Sequence, residues 1–378
     1  MKVAKRIFKI ILMGTSISIA VVLIVGILFV NFSPQFGGSH SEEAIARFNA
    51  SKNFKEGQFW NLEFTQTTPS LSDLPKLFKE LSREASGLTP SKGLPVQSVK
   101  LNEASKQTRV IWFGHSAFLL EIAGKRLLID PMLSDVPSPH PWLGSERFTK
   151  ELPIAIEDLP KIDAVLISHD HYDHLDYETI LKIKDKVGKY FTPLGVGTHL
   201  QAWGVPKEDI TELDWWHEVQ FDNLTFAATP ARHFSGRGLT DAQKTLWASW
   251  VIKSDSENIF FSGDSGYGQH FKEIGNKYGP FDLALMECGQ YNDHLTEFAI
   301  HMLPEETAQA SVDVKAKVMM PVHWASFSLN RHNWKEPVER LVAKAGEMDL
   351  QVVTPIIGQV IEFNNLDSNI TSWWADYE

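Results

Sequence analysis

The run from Asp163 to Asp176, Asp-Ala-Val-Leu-Ile-Ser-His-Asp-His-Tyr-Asp-His-Leu-Asp, constrains the fold more than any other stretch of the 378 residues. Ala164 to Ile167 form an apolar run that reads as a buried strand, and it leads directly into His169, His171, Asp173 and His174. On an extended or looping backbone, the i, i+2 spacing of His169 and His171 lets two imidazoles close on one ion, while Asp173 and His174 turn towards a second. A merely solvated turn would not gather three histidines and an aspartate within six residues. The expectation is a two-metal centre at the end of a core strand.

The N-terminus carries a different signal. Lys2, Lys5, Arg6 and Lys9 precede an uncharged, mostly apolar run from Ile10 to Phe32, long enough as a helix to cross a hydrocarbon core of roughly 30 Å. A cleavable signal peptide shares the basic start, but its apolar core is usually about 7–15 residues long and ends in a small-x-small site. Phe29-Val-Asn-Phe-Ser-Pro offers no such site, so an uncleaved anchor over 10–32 is expected after a short basic segment, 1–9. The positive charges predict that end in the cytoplasm and the folded domain on the outer, periplasmic or extracellular, side. Without residues 1–31 the chain holds 32 basic against 47 acidic side chains, a net charge of −15. Such a surface has no general attraction for phosphate backbones, which disfavours nucleic-acid partners. The lone cysteine, Cys288, forms no internal disulfide and builds no cysteine-rich zinc site, so the ligands must be histidine and carboxylate.

Residues 33–100 read as an extension packing on a catalytic domain of 101–378. Within it, Ser72 to Leu81 has Ser72 as a possible N-cap, Pro75 in the first turn, and Leu74, Leu77, Phe78 and Leu81 on one face. Packing of that face on the main domain is the ordinary outcome, with a bilayer surface as the alternative. Arg109 to Ile122 and Leu127 to Pro131 read as two strands joined by a Gly-containing turn, and Tyr177 to Val187 as a helix that Gly188 ends. Three later segments repeat one theme: the apolar runs 224–231, 258–261 and 317–322 lead to His233, Asp264 and His323. Four strands thus deliver metal-type residues at their C-terminal ends, where α/β scaffolds build sites. Trp215-Trp216 and Trp373-Trp374 are candidates for lipid contact, although core packing is the commoner fate of tryptophan.

Together these residues carry a resemblance. Ser-His169-Asp-His171-Tyr-Asp173-His174, then His233, Gly-Asp264 and Pro-Val-His323, are ordered like the metal motifs of the metallo-β-lactamase superfamily. The chain is most similar to the N-acyl phosphatidylethanolamine phospholipase D branch and its bacterial relatives. The more specific phrases are Trp112-Phe-Gly-His-Ser-Ala, Leu128-Ile-Asp-Pro-Met-Leu-Ser134, Pro230-Ala-Arg-His-Phe-Ser-Gly-Arg-Gly, Phe261-Ser-Gly-Asp-Ser-Gly-Tyr267 and His301-Met-Leu-Pro-Glu-Glu-Thr-Ala308. The resemblance implies an αββα sandwich, here preceded by the transmembrane helix. It assigns His169, His171 and His233 to one metal and Asp173, His174 and His323 to a second, with Asp264 bridging. Two divalent ions, zinc foremost, would share and ionise a water that attacks a phosphodiester.

Asp264, which orients that water, and His301, a general acid for the leaving group, are the implied catalytic residues. Asp130 is expected to orient a ligand imidazole, and His115 to be structural or substrate-facing. The implied substrate is a phospholipid of N-acyl phosphatidylethanolamine type or another phosphodiester. Related branches open phosphorylated sugar lactones, and a non-catalytic metal-holding scaffold is the third reading.

Overall fold

The computed structural model describes residues 2–101, 103–368 and 371–377. Helix α1 (Lys2–Phe32) is followed by α2 (Glu42–Phe48), the short hairpin β1 (Phe54–Lys55) and β2 (Gln58–Phe59), and α3 (Leu74–Leu81). Strands β3 (Arg109–Trp112), β4 (Phe118–Ile122), β5 (Lys125–Ile129), β6 (Ile162–Leu166), β7 (Val187–Pro193) and β8 (Ile210–Leu213) lie in one sheet. A second holds β9 (Glu218–Phe221), β10 (Leu224–Thr229), β11 (Ser249–Lys253), β12 (Asn258–Phe261), β13 (Leu283–Glu287), β14 (Val318–Val322) and β15 (Gln351–Val352), while β16 (Val360–Glu362) returns to pair with β3. Five helices accompany them among the described residues: α4 (Tyr177–Ile183), α5 (Gly197–Ala202), α6 (His270–Lys277), α7 (Pro304–Asp313) and α8 (Glu336–Glu347).

The central strands are apolar almost throughout because both of their faces are covered. Phe118, Leu120, Leu127, Ile129 and Leu166 point between the sheets, where Phe118 meets Phe261 edge-on at 5.7 Å between ring centres. The alternate residues Leu119, Leu128 and Val165 face Ile180 and Ile183 of α4 and Leu200 of α5. Phe271 and Ile274 of α6, Ala308 of α7 and Val338 and Leu341 of α8 join the core from the second sheet's side. This is the αββα sandwich of the metallo-β-lactamase fold. In each sheet antiparallel pairing gives way to parallel pairing, at β5–β6 in the first and β12–β13 in the second. The loops that follow β6, β12 and β14 gather at one rim.

Several sequence expectations are corrected. The run 109–122 is two strands, because Gly114 (φ 89°) and His115 (φ 54°) turn the chain between β3 and β4. Gly188 ends no helix: α4 stops at Ile183 and Gly188 lies inside β7, where a Cβ would come 2.8 Å from the Asp163 carbonyl of the neighbouring strand. Before α3 a 3-10 turn over 71–73 is capped by Ser70 rather than Ser72, the Ser70 N–H donating to Asp73 Oδ2 at 2.7 Å. The apolar face of α3 is not packed away, for Leu74, Phe78 and Leu81 are exposed and Glu80 is the buried residue. Trp215, Trp373 and Trp374 are buried, the last two against Trp324.

Helix α1 is long and apolar enough to cross a membrane over Lys5–Val30 and is exposed along 5–28. Its closing turn touches the body through Phe29, 5.5 Å from Phe36 and 6.3 Å from Trp142 between ring centres.

Candidate metal centre

Each candidate ligand sits just beyond a strand. His169 to His174 follow β6, His233 follows β10, Asp264 follows β12 and His323 comes directly after β14. Gly263 (φ 55°) makes the turn into Asp264 possible, since a Cβ there would lie 2.8 Å from the Ala248 carbonyl. His115 (φ 54°) and His323 (φ 67°) hold the left-handed conformation without being glycine. Reciprocal backbone bonds keep them there, His323 N–H to His115 O at 3.0 Å and His115 N–H to Trp324 O at 3.2 Å.

Two groups of donors result. In the first, His171 Nδ1 lies 2.9 Å from His169 Nε2 and 3.2 Å from His233 Nε2. Three ligand nitrogens on a tetrahedral ion with bonds of about 2.0–2.1 Å would be roughly 3.3 Å apart. In the second, His174, Asp173, His323 and His115 bring donor atoms within 4.8 Å of one another. Asp264 stands between them: its Oδ2 is 3.1 Å from His174 Nε2, 3.9 Å from His169 Nε2 and 3.8 Å from His233 Nε2, and its Oδ1 is 3.2 Å from His323 Nδ1.

These residues fit divalent cations on their own chemistry. His174 Nε2, His323 Nε2 and Asp264 Oδ1 are buried with no hydrogen-bond partner, a cost that a protein interior seldom leaves uncompensated. Burial, reinforced by neighbouring imidazoles, holds His169 well below the usual histidine value, and burial does the same to His233 and His323. The neutral ring is the form that ligates metal. Burial opposes charge on Asp264 and Asp173 as well, yet the adjoining His174 and other imidazoles hold both well below the carboxylate range. His174 is driven well above its ordinary value against burial by Asp264, Asp173 and Asp130. So many carboxylates in a buried pocket demand positive charge.

All seven residues read from the sequence as ligands therefore lie together. Asp130, in the turn after β5, accepts a hydrogen bond from Ser168 N–H at 2.7 Å through Oδ1 and faces His174 Nδ1 at 2.7 Å through Oδ2. His301 lies at the edge, 4.0 Å from Asp264 Oδ2. It lines a cleft of about 340 Å³ whose walls include Leu77, Leu295, Phe298, Leu303 and Leu329. His115 is closer to the chemistry than its sequence suggested, with Nε2 2.9 Å from Asp173 Oδ2 and its ring 4.2 Å from that of His323. Glu287 was not singled out at all; a charge closing the apolar strand Leu-Ala-Leu-Met-Glu was the signal that could have found it. None of His40, His140, His199, His217, His270, His294 and His332 joins a donor group among the described residues.

Residues 125–324 match the family model described as a Beta-lactamase superfamily domain. An uncharacterized protein of Mycobacterium tuberculosis is 40% identical over 348 residues, covering 90% of this chain and 92% of its own. An N-acyl-phosphatidylethanolamine-hydrolyzing phospholipase D of Caenorhabditis elegans is 30% identical over 286 residues, 71% of this chain and 80% of that one. Among solved structures, a metallo hydrolase from Ignicoccus hospitalis shares the fold with a TM-score of 0.51 at 23% identity, over 68% of this chain and 98% of the other.

Proposed function

The chain belongs to the metallo-β-lactamase superfamily and is a metal-dependent hydrolase, and on that premise we propose that it cleaves phosphodiesters in the manner of a phospholipase D, on an N-acyl phosphatidylethanolamine-like or other phospholipid. One observation carries the reading. The buried His/Asp cluster opens beside His301 into a cleft with apolar walls, which suits an amphiphile whose phosphate meets the cluster while its chain lies along Leu77, Leu295 and Phe298.

His169, His171 and His233 would hold one cation, Asp173, His174 and His323 another, with Asp264 shared between them. Zinc suits this set of imidazoles and carboxylates. Bound there, such ions lower the pKa of water towards neutrality and neutralise a phosphoryl oxygen. In this reading Asp264 also accepts a hydrogen bond from the attacking water and fixes its direction. His301 gives a proton to the leaving oxygen. Asp130, accepting from His174 Nδ1–H, sets that ring's free Nε2 towards Asp264.

Residues 101–378 form the catalytic domain in this reading, with 33–100 an extension upon it and α1 its membrane anchor. The reading puts the N-terminus in the cytoplasm and the site on the outer side, which the four N-terminal positive charges support. The exposed Leu74, Phe78 and Leu81 lie on the helix that lends Leu77 to the cleft, in keeping with a lipid substrate.

The test is turnover by the full chain in detergent micelles, assayed against N-acyl phosphatidylethanolamine, other phosphodiesters and phosphorylated sugar lactones. Phosphodiester hydrolysis is expected, and His301→Ala should lower kcat by about 10²- to 10⁴-fold with metal content unchanged. Lactone opening without phosphodiester hydrolysis would overturn the substrate class. Metal retention with no turnover of either would favour the scaffold.

A further inference from the structure

Glu287 closes β13, a strand whose residues are all buried, and is itself 0% exposed. A carboxylate in such a place is costly unless each oxygen is met by a donor or a positive group. Oε1 is met, accepting the Met302 N–H at 2.8 Å. Oε2 has no hydrogen-bond partner, and neither does His301 Nδ1, which is also buried. The two face each other at 3.7 Å, closer than the 4.0 Å that separates the same nitrogen from Asp264 Oδ2. The backbone of Glu287 has little freedom to move away. Its N–H donates to Ser262 Oγ at 3.0 Å, and its carbonyl accepts from Thr307 Oγ1 at 2.8 Å in the helix that follows His301. One carboxylate thus grips the 301–302 segment by its main chain and faces the His301 ring. That ring stacks on His323 at 5.2 Å and remains 15% exposed towards the cleft.

We propose that Glu287 is a positioning residue that fixes the proton of His301 on Nδ1, so that Nε2 is the atom presented to the leaving group. The inference rests on the reading of His301 as the general acid. In the step it supports, the bond from phosphorus to the leaving oxygen breaks as a water oxygen bonds to phosphorus, and the Nε2 proton passes to the leaving oxygen. His301 is left neutral with its Nδ1–H against Glu287. It regains a proton from solvent, to which the attacking water has lost one, so protons balance over the cycle. Nothing in this arrangement requires Glu287 to touch substrate.

Glu287→Gln is the informative variant. Its amide oxygen can still accept from Met302 N–H, while its NH₂ turns a donor towards Nδ1 and favours the opposite tautomer. Two readouts are taken on the full chain in micelles. The first is ¹⁵N NMR of histidine-labelled, metal-free protein, with His301 assigned by its loss in His301→Gln. The wild type should carry its proton on Nδ1, and Glu287→Gln should move it to Nε2; an Nε2–H tautomer in the wild type overturns the proposal whatever the substrate proves to be. The second is a leaving-group comparison between a nitrophenyl phosphodiester, whose leaving group needs no acid, and an alkyl phosphodiester, which does. Glu287→Gln should lower kcat on the alkyl ester by roughly 10- to 100-fold, and by less than about 3-fold on the nitrophenyl ester, with KM and metal content unchanged. Equal losses on both esters would mark Glu287 as structural only. If His301→Gln itself shows no leaving-group dependence, the general-acid reading fails, and the NMR result still decides what Glu287 does to the ring.

Discussion

Replacing Asp130 with asparagine changes one atom behind the second donor group and should selectively weaken the cation held there. Asp130 is fully buried, and Ser168 N–H fixes Oδ1 as an acceptor, so the new NH₂ must take the place of Oδ2, 2.7 Å from His174 Nδ1. Two donors then face each other. His174 escapes by accepting at Nδ1, which puts its proton on Nε2, the atom 3.1 Å from Asp264 Oδ2 that would otherwise ligate. Binding a cation there requires giving up that hydrogen bond or leaving two buried N–H groups opposed. A hydrogen bond to a charged group is worth about 1.5–3 kcal/mol, which at about 1.36 kcal/mol per decade is roughly 10- to 150-fold in affinity. Removing outer partners of metal-ligating histidines typically costs about as much. Chelator competition with zinc on the full chain in micelles should show one equivalent bound as in the wild type and the other weakened by that factor. Unchanged affinity for both equivalents would refute the tautomer argument and the part given to Asp130.

Two other expectations concern the scaffold. Burial, with a lesser contribution from Arg232, lowers His270 to about 3. Its folded-state value thus lies below the unfolded one of about 6.5, so its stabilisation is complete above pH 6.5 and is lost as pH falls towards 3. Between pH 6 and 4, His270→Asn should flatten the stability-versus-pH slope by about 1.4 kcal/mol per pH unit relative to wild type; equal slopes in urea unfolding series would show that His270 is protonated in the folded protein. Among the described residues, deleting 1–32 removes the ring contacts of Phe29 with Phe36, His140 and Trp142, worth about 0.5–1.5 kcal/mol each. The shortened protein should therefore leave the membrane fraction while melting within a few degrees of the full chain, and its persistence in membranes would show that another surface anchors it.

Much of the candidate site was legible because its residues are chemically conspicuous where they stand. The cluster at 169–174 follows an apolar run, and His233, Asp264 and His323 each follow another. An apolar run ending in a ligand-type residue marks both a strand and the loop beyond it. The long N-terminal apolar helix was legible because hydrophobic pattern registers length directly, whereas the αββα sandwich was implied by the resemblance that the ordered metal motifs carry.

What stayed hidden depends on partners distant in the chain. Gly188 looked like a helix stop, yet it is where β6 and β7 approach. The face of α3 had the spacing of a buried surface, yet Phe78 and Leu81 are exposed. Glu287 was chemically silent as a letter, and His115 read only as structural or substrate-facing. His115 acquires meaning from Asp173, 58 residues away, and Glu287 from His301 across the loop before α7. Sequence determines which side chains can bind a cation or move a proton. Only the folded chain decides which lone pair faces which proton, because that is fixed by long-range packing and burial, and a local pattern carries no record of it.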